Sequence, residues 1–243
     1  MNHIFTSVLG GSYTLDPDNI KTIITDLDGT LVELRIDYKN AKNESIKMLE
    51  GIYPFSNDFF SNINTLSQMY ERSTEFLRNI GCDSFIHEIN IKMSRIADKY
   101  EMDAARRTSI FPGVLSSLKQ LRGAGIEVIL FTVNGESSVD YLLRRFDIRD
   151  YFTYVFHRKL MFNFKHYPNC LSYSLKKNGI DPKRTLIVGD SVIDIMCGKA
   201  IGAKTIGITT GMSDYEQLKK TGADFIIKNF QELLSLVQID SKD

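Results

Sequence analysis

From Gly113 onward the sequence alternates short apolar runs with stretches of helical spacing, and that alternation leaves few folds open. Ser116 to Arg122 has helical spacing and meets stop signals at Gly123 and Gly125, while Ile126-Glu-Val-Ile-Leu-Phe131 reads as a buried strand. A helix over Glu136 to Phe146 and a short strand over Tyr151 to Phe156 follow. Pro168 opens a helix that Gly179 stops, Thr185-Leu-Ile-Val188 is a strand, Val192 to Ile201 a helix and Thr205 to Ile208 a strand. A short apolar run, Asp224-Phe-Ile-Ile227, and a final helix through Gln231 to Val237 complete the series. Strands separated by helices imply an α/β architecture, a parallel sheet with helices on both faces, whose ligands bind beyond the carboxyl ends of the strands.

Between Val32 and about Ile110 the alternation disappears. Tyr38 to Gly51 has helical apolar spacing, and Phe59, Phe60, Ile63, Leu66, Met69, Tyr70, Phe76, Leu77 and Ile80 continue it. Ile86, Ile89, Met93, Ile96 and Tyr100 recur at intervals of three and four. This segment reads as an all-α insert in the first strand-to-helix connection, its aromatics serving as core. The expected division is a core domain of 1–32 and 111–243 and a helical domain of 33–110, with Phe111-Pro112-Gly113 as the hinge by which the chain returns. Residues before Lys21, with Gly10-Gly11 and Asp16-Pro17, fall outside the pattern.

Two acid pairs sit where such a sheet would present its ligand. The first is in Lys21-Thr-Ile-Ile-Thr-Asp26-Leu-Asp28-Gly29-Thr30, where Gly29 lets the chain turn behind two carboxylates that would face the same way if the strand ran through both. The second follows Leu186-Ile-Val-Gly189-Asp190, with Asp194 four residues on. Either run alone has an ordinary reading as a turn or a helix cap. Together, four acids would repel one another unless a cation sat among them. Oxygen donors suit a small hard cation such as Mg²⁺, which binds substrate phosphate as well. The pairing points to phosphoryl transfer.

Composition narrows the remaining classes. At 243 residues the chain accommodates one sizeable domain plus an insert, or two modest domains, and 43% hydrophobic with 25% charged residues is globular usage. A formal net charge of zero gives no general pull toward nucleic acid or an acidic membrane, and Lys176-Lys177 and Lys219-Lys220 fit solvated helix faces. Cys82, Cys170 and Cys197 are widely separated, and His3, His87, His157 and His166 share no ligand spacing, which argues against zinc and fits a reducing, cytoplasmic compartment. The start of the chain lacks a basic segment followed by an apolar run, and no stretch approaches the roughly 20 apolar residues that span a bilayer, so a soluble protein is expected.

These residues resemble the haloacid dehalogenase superfamily, specifically its phosphatase-like members with a helical cap after the first motif. Asp26-Leu-Asp28-Gly-Thr resembles the first motif, Ile129-Leu-Phe-Thr132 the second, Lys165 the third, and Gly189-Asp190-Ser-Val-Ile-Asp194 the fourth. Two departures stand out. Val133 intervenes before Asn134 where relatives often have Asn directly, and Lys165 is followed by His-Tyr-Pro168 instead of Pro, which leaves Lys159 as a rival.

The resemblance implies a Rossmann-like core and a Mg²⁺-dependent phosphatase acting on a small phosphorylated metabolite, such as a sugar phosphate, phosphoglycolate or a nucleotide monophosphate. It implies Asp26 as nucleophile and Asp28 as acid and base. It also implies Mg²⁺ on the Asp26 carboxylate, the Asp28 carbonyl and Asp190, with Asp194 a direct or water-mediated ligand or a partner of Lys165. Thr132, the Val133 amide and Lys165 would hold the phosphoryl group, the cap would set specificity, and Arg35 near its hinge is a candidate substrate contact. A phosphomutase shares all four motifs, and a non-catalytic binding or regulatory module shares the fold. Dehalogenation at carbon is disfavoured, because those relatives generally lack the second acid that Asp28 supplies.

Overall fold

The computed structural model describes residues 15, 19–33, 35–56, 58–63, 65–158 and 167–239. The chain separates into two compact units. One holds Arg35–Arg107 and Asn134–Val139; the other holds Thr108–Val133 and the described residues before Arg35 and from Asp140 onward.

The first unit is built on α1 (Tyr38–Glu50), α2 (Leu66–Asn79) and α3 (Ile86–Arg107). Asp37 and Thr65 start the first two helices by accepting hydrogen bonds from the backbone N–H of Asn40 and Gln68, at 3.1 and 3.2 Å. Leu49, Met69, Leu77, Ile89 and Met93 are buried together with Phe55, Phe60 and Ile63. Tyr53, Phe55, Phe59, Phe60 and Phe76 form a chain of ring contacts with centroids 4.8 to 5.7 Å apart, mostly tilted or edge-on. The aromatics are core, as their spacing predicts.

The second unit carries a parallel sheet of β1 (Thr22–Thr25), β2 (Glu127–Phe131), β3 (Phe152–Phe156), β4 (Thr185–Gly189), β5 (Lys204–Ile208) and β6 (Phe225–Ile227). The spatial order is β3-β2-β1-β4-β5-β6. Its helices are α4 (Val114–Gly123), α5 (Glu136–Arg145), α6 (Tyr167–Lys177), α7 (Val192–Ile201), α8 (Tyr215–Thr221) and α9 (Glu232–Leu236), the first turn of α5 clustering with the helical unit. The chain moves one way across the sheet from β1 to β3 and the other way from β4 to β6, so crossovers of the right hand that parallel sheets favour put helices on both faces. Ile24, Ile129, Phe131 and Ile187 point to the face where Leu171 and Leu175 of α6 and Cys197 of α7 cover them.

Most boundaries fall within a residue or two of the sequence expectation, and α7 matches it residue for residue, set by Ser191 before it and by Gly202, at φ 77°, after it. β1 is shorter than a strand running through both acids. It ends at Thr25, because the Leu27 carbonyl accepts from the N–H groups of both Leu31 and Val32 and folds the segment back. Gly113, expected at a hinge, has φ 79° and lies against the side chain of Gln231, where a Cβ would collide. Among the described residues no helix is long and apolar enough to cross a membrane.

Candidate active site

The sheet order reverses between β1 and β4, and the crevice beyond such a reversal is where open α/β sheets bind ligands. The two strands run in register, Thr25 beside Val188, and the Asp26 N–H donates to the Val188 carbonyl at 3.0 Å. Asp26 therefore leaves β1 next to Gly189, one residue before Asp190 leaves β4. Thr25 also pairs with Leu130, which brings Thr132 to the same end of the sheet from β2. Of the residues singled out in the sequence, Asp26, Asp28, Thr132, Val133, Asp190 and Asp194 gather at this edge. Lys165 and its rival Lys159 lie outside the described residues, and Arg35 is exposed.

The turn after Asp26 is made by the backbone. Asp28 bridges to Val32, and the Gly29 N–H donates to the Val32 carbonyl at 2.9 Å. Gly29 has φ 77°, and a Cβ there would lie 2.5 Å from Asp190 Oδ2. Any side chain would thus evict the acid. Gly211 presses on Asp190 from another side, and Gly189 makes the same kind of room for Asp194.

Burial differs between the two pairs. Asp26 and Asp28 are half-buried, whereas Asp190 and Asp194 are 5% and 7% exposed. Asp190 Oδ2 accepts from the Met212 N–H at 2.5 Å, and the Asp190 carbonyl accepts from the Ser213 N–H at 3.0 Å. Asp194 Oδ2 accepts from the N–H and Oγ of Ser191 at 3.1 and 2.6 Å, while its own N–H donates to Ser191 Oγ at 3.3 Å, a reciprocal cap on α7.

Removal from water is the main force on these carboxyls. It holds the Asp26 carboxyl well above the usual range, helped by the charges of Asp194, Asp190 and Asp28 and opposed by a hydrogen bond from the Leu27 N–H. It raises Asp190 against the Met212 N–H, and it pushes Asp194 up to about 7 against the Ser191 hydroxyl. In each case burial works against the charged form, and positive charge placed nearby would favour it.

The donor set is all oxygen, which suits a hard cation. Among the described residues no three His, Cys, Asp or Glu side chains are grouped to hold a metal by themselves. A cation that fits here would combine one or two carboxylates with main-chain oxygen and water, the usual manner of Mg²⁺. The carboxyls raised in the absence of compensating charge are consistent with that group.

Thr132 is buried, and its N–H donates to the Phe156 carbonyl at 2.9 Å. Val133 is 45% exposed, and its carbonyl accepts from Arg158 Nη1 at 3.0 Å. Sequence reasoning missed the turn after β5, where the Thr210 hydroxyl donates to the Gly29 carbonyl at 2.5 Å and Met212 meets Asp190. Its only local signal is Thr-Thr-Gly at the exit of a strand that neighbours β4.

A sheet reversing beside paired acids defines an α/β protein with its ligand site at the switch point, and comparison with known proteins makes the class specific. Residues 23–208 match the model of the haloacid dehalogenase-like hydrolases, and the chain belongs to that family. It is thus an enzyme of a hydrolase family. A phosphoglycolate phosphatase of Vibrio parahaemolyticus is 26% identical over 226 residues, covering 92% of this chain and 98% of the relative. The pyrophosphatase PpaX of Bacillus pumilus is 27% identical over 242 residues, covering 93% and 100%. A crystal structure described as a predicted phosphoglycolate phosphatase from Haemophilus somnus shares the fold with a TM-score of 0.65 at 22% identity, over 90% of this chain and 99% of that one.

Proposed function

We propose that the protein is a Mg²⁺-dependent phosphatase that hydrolyses a small phosphorylated metabolite through an aspartyl-phosphate on Asp26. The observation that carries this reading is the convergence of Asp26, Asp190 and Asp194, from two strand ends more than 150 residues apart, into one group of neighbouring carboxyls at the sheet's switch point. Uncompensated clustered acids cost stability, and such a cost persists where a function uses them.

Phosphate monoesters react so slowly in water that enzymes accelerate them by up to about 10²¹-fold. Positioning a nucleophile in line contributes roughly 7 to 11 kcal/mol of that, and charge stabilisation must supply most of the rest. In the proposed first step a carboxylate oxygen of Asp26 attacks phosphorus, the bond to the leaving oxygen breaks, and Asp28 protonates that oxygen. In the second step Asp28 takes a proton from water, which attacks phosphorus and frees Asp26 and inorganic phosphate. The Thr132 hydroxyl, the Val133 N–H and the Lys165 ammonium would hold the phosphoryl oxygens. Mg²⁺ on the Asp26 carboxylate, the Asp28 carbonyl and Asp190, with Asp194 bound directly or through water, would offset the negative charge of acids and phosphate together.

On this reading residues 33–110 act as a cap that admits substrate and excludes bulk water, and the cytoplasm, where such metabolites are made, is the expected compartment. The names of the relatives direct the first assays to phosphoglycolate and pyrophosphate. Purified protein is incubated with these, with sugar phosphates and with nucleotide monophosphates, in Mg²⁺ and again with excess chelator. Release of inorganic phosphate that chelator abolishes supports the proposal. No release from any member of the panel sinks it, and isomerised sugar phosphate without net release would indicate a phosphomutase.

A further inference from the structure

Glu101 carries a carboxyl group, is only 5% exposed, and lies two turns from the end of α3. Its Oε2 accepts from the Gly135 N–H at 2.7 Å and from Ser138 Oγ at 3.1 Å. Both donors belong to the same compact unit as Glu101. Gly135 immediately precedes α5, and the Glu101 carboxyl accepts from its N–H, the backbone donor that a Glu or Gln in the first turn satisfies in a capping box.

The position matters because of what precedes Gly135. Thr132 and Val133 lie three and two residues upstream and are held on their other side by the Phe156 carbonyl and by Arg158. A turn pinned at both ends has few ways to move its amides. We infer that Glu101 is a positioning residue for the phosphate-binding turn Thr132–Gly135, fixing the turn through Gly135 and Ser138 without touching substrate. This rests on the phosphatase reading above.

Helix-capping acids are commonly only structural, so the test separates the two roles. Glu101→Ala and Glu101→Gln are compared with the full-length wild type, using the substrate that the panel identifies, in saturating Mg²⁺ and at least 15 °C below each variant's melting point. Displacing catalytic groups by about an ångström costs on the order of 100-fold. The expected result is a kcat lower by roughly tenfold to 100-fold in Glu101→Ala, weaker inhibition by inorganic phosphate, and faster exchange of the Gly135 amide. Glu101→Gln, which keeps an oxygen acceptor at the same reach, should recover most of the loss. A Glu101→Ala enzyme with a lowered melting point but unchanged kcat and phosphate inhibition would overturn the inference and leave the phosphatase reading intact. If Glu101→Ala fails to fold, a Glu101→Gln enzyme that folds like the wild type yet has a kcat lowered by tenfold or more overturns it too, because the acceptor is still present. A wild type inactive on the whole panel would remove the phosphatase reading and this inference together.

Discussion

The exits of β1 and β4 each carry two acids, and they are built in opposite ways. After β1 the backbone makes the turn, through the Asp28–Val32 bridge and the doubly accepting Leu27 carbonyl, and the acids stay half-buried. After β4 the side chains do the holding: Asp194 is locked to Ser191 and Asp190 to Met212, and both acids are buried. A carboxylate that must attack or shuttle protons has to be reachable, whereas one that supplies charge is best fixed and dry. The contrast teaches that one residue type at one edge of a sheet serves reaction or scaffolding according to what occupies its lone pairs.

If that contrast is right, the largest effect belongs to the open pair. Asp26→Asn should lower kcat/KM by roughly 10⁴-fold or more, the scale seen when a nucleophile is removed, while the metal-free protein melts at a higher temperature because one member of a crowded, poorly solvated acid group is gone. Steady-state kinetics beside a calorimetric scan would check both halves, and near-normal turnover would show that Asp26 is not the nucleophile. Next in size, Asp190→Asn should weaken Mg²⁺ by about tenfold to 100-fold and be partly rescued by raising its concentration. Titration of activity with Mg²⁺ reads this directly; an unshifted titration would put Asp190 outside the metal site.

Ser191→Ala probes the scaffolding role alone. Loss of the cap on α7 should cost about 1 kcal/mol in urea denaturation, with kcat within about threefold of the wild type. A large drop in kcat without loss of stability would erase the distinction between the pairs.

The smallest effect is one of pH. Asp26, Asp190 and Asp194 bind protons more tightly folded than unfolded, from their ordinary value of 3.8 up to about 7 for Asp194. Between those limits the folded state holds the extra protons, so the stability of the metal-free protein should fall as pH rises from about 4 to 7. Saturating Mg²⁺ should offset the fall, so the rise in melting temperature that the ion causes should grow by a few degrees across the same window. A constant rise would mean that the ion and these acids are not linked.

What was legible in the sequence was mostly local. Val192–Ile201 could be bounded because Ser191 caps it and Gly202 ends it, and the six strands announced themselves as apolar runs, whereas the short helix Tyr215–Thr221 before the last of them was not foreseen. The acids at the strand ends were legible because a parallel sheet presents its ligand there. The early end of β1 was not, because the Leu27 carbonyl closes the turn through two later amides, and periodicity carries no trace of that. The turn at Thr210–Met212 was equally hidden, since Thr210 finds its partner 181 positions away at Gly29. Glu101 escaped notice because a Glu in a helical pattern reads as solvent-facing until Gly135 and Ser138 are seen beneath it.

Asp190 is wedged between two bare stretches of main chain at Gly29 and Gly211. An alanine at either would occupy the volume of its carboxyl group, so neither position is a route by which mutation could gradually adjust the cavity. Retuning for another ion or another substrate would have to enter through the exposed surroundings, while this narrow slot stayed as it is.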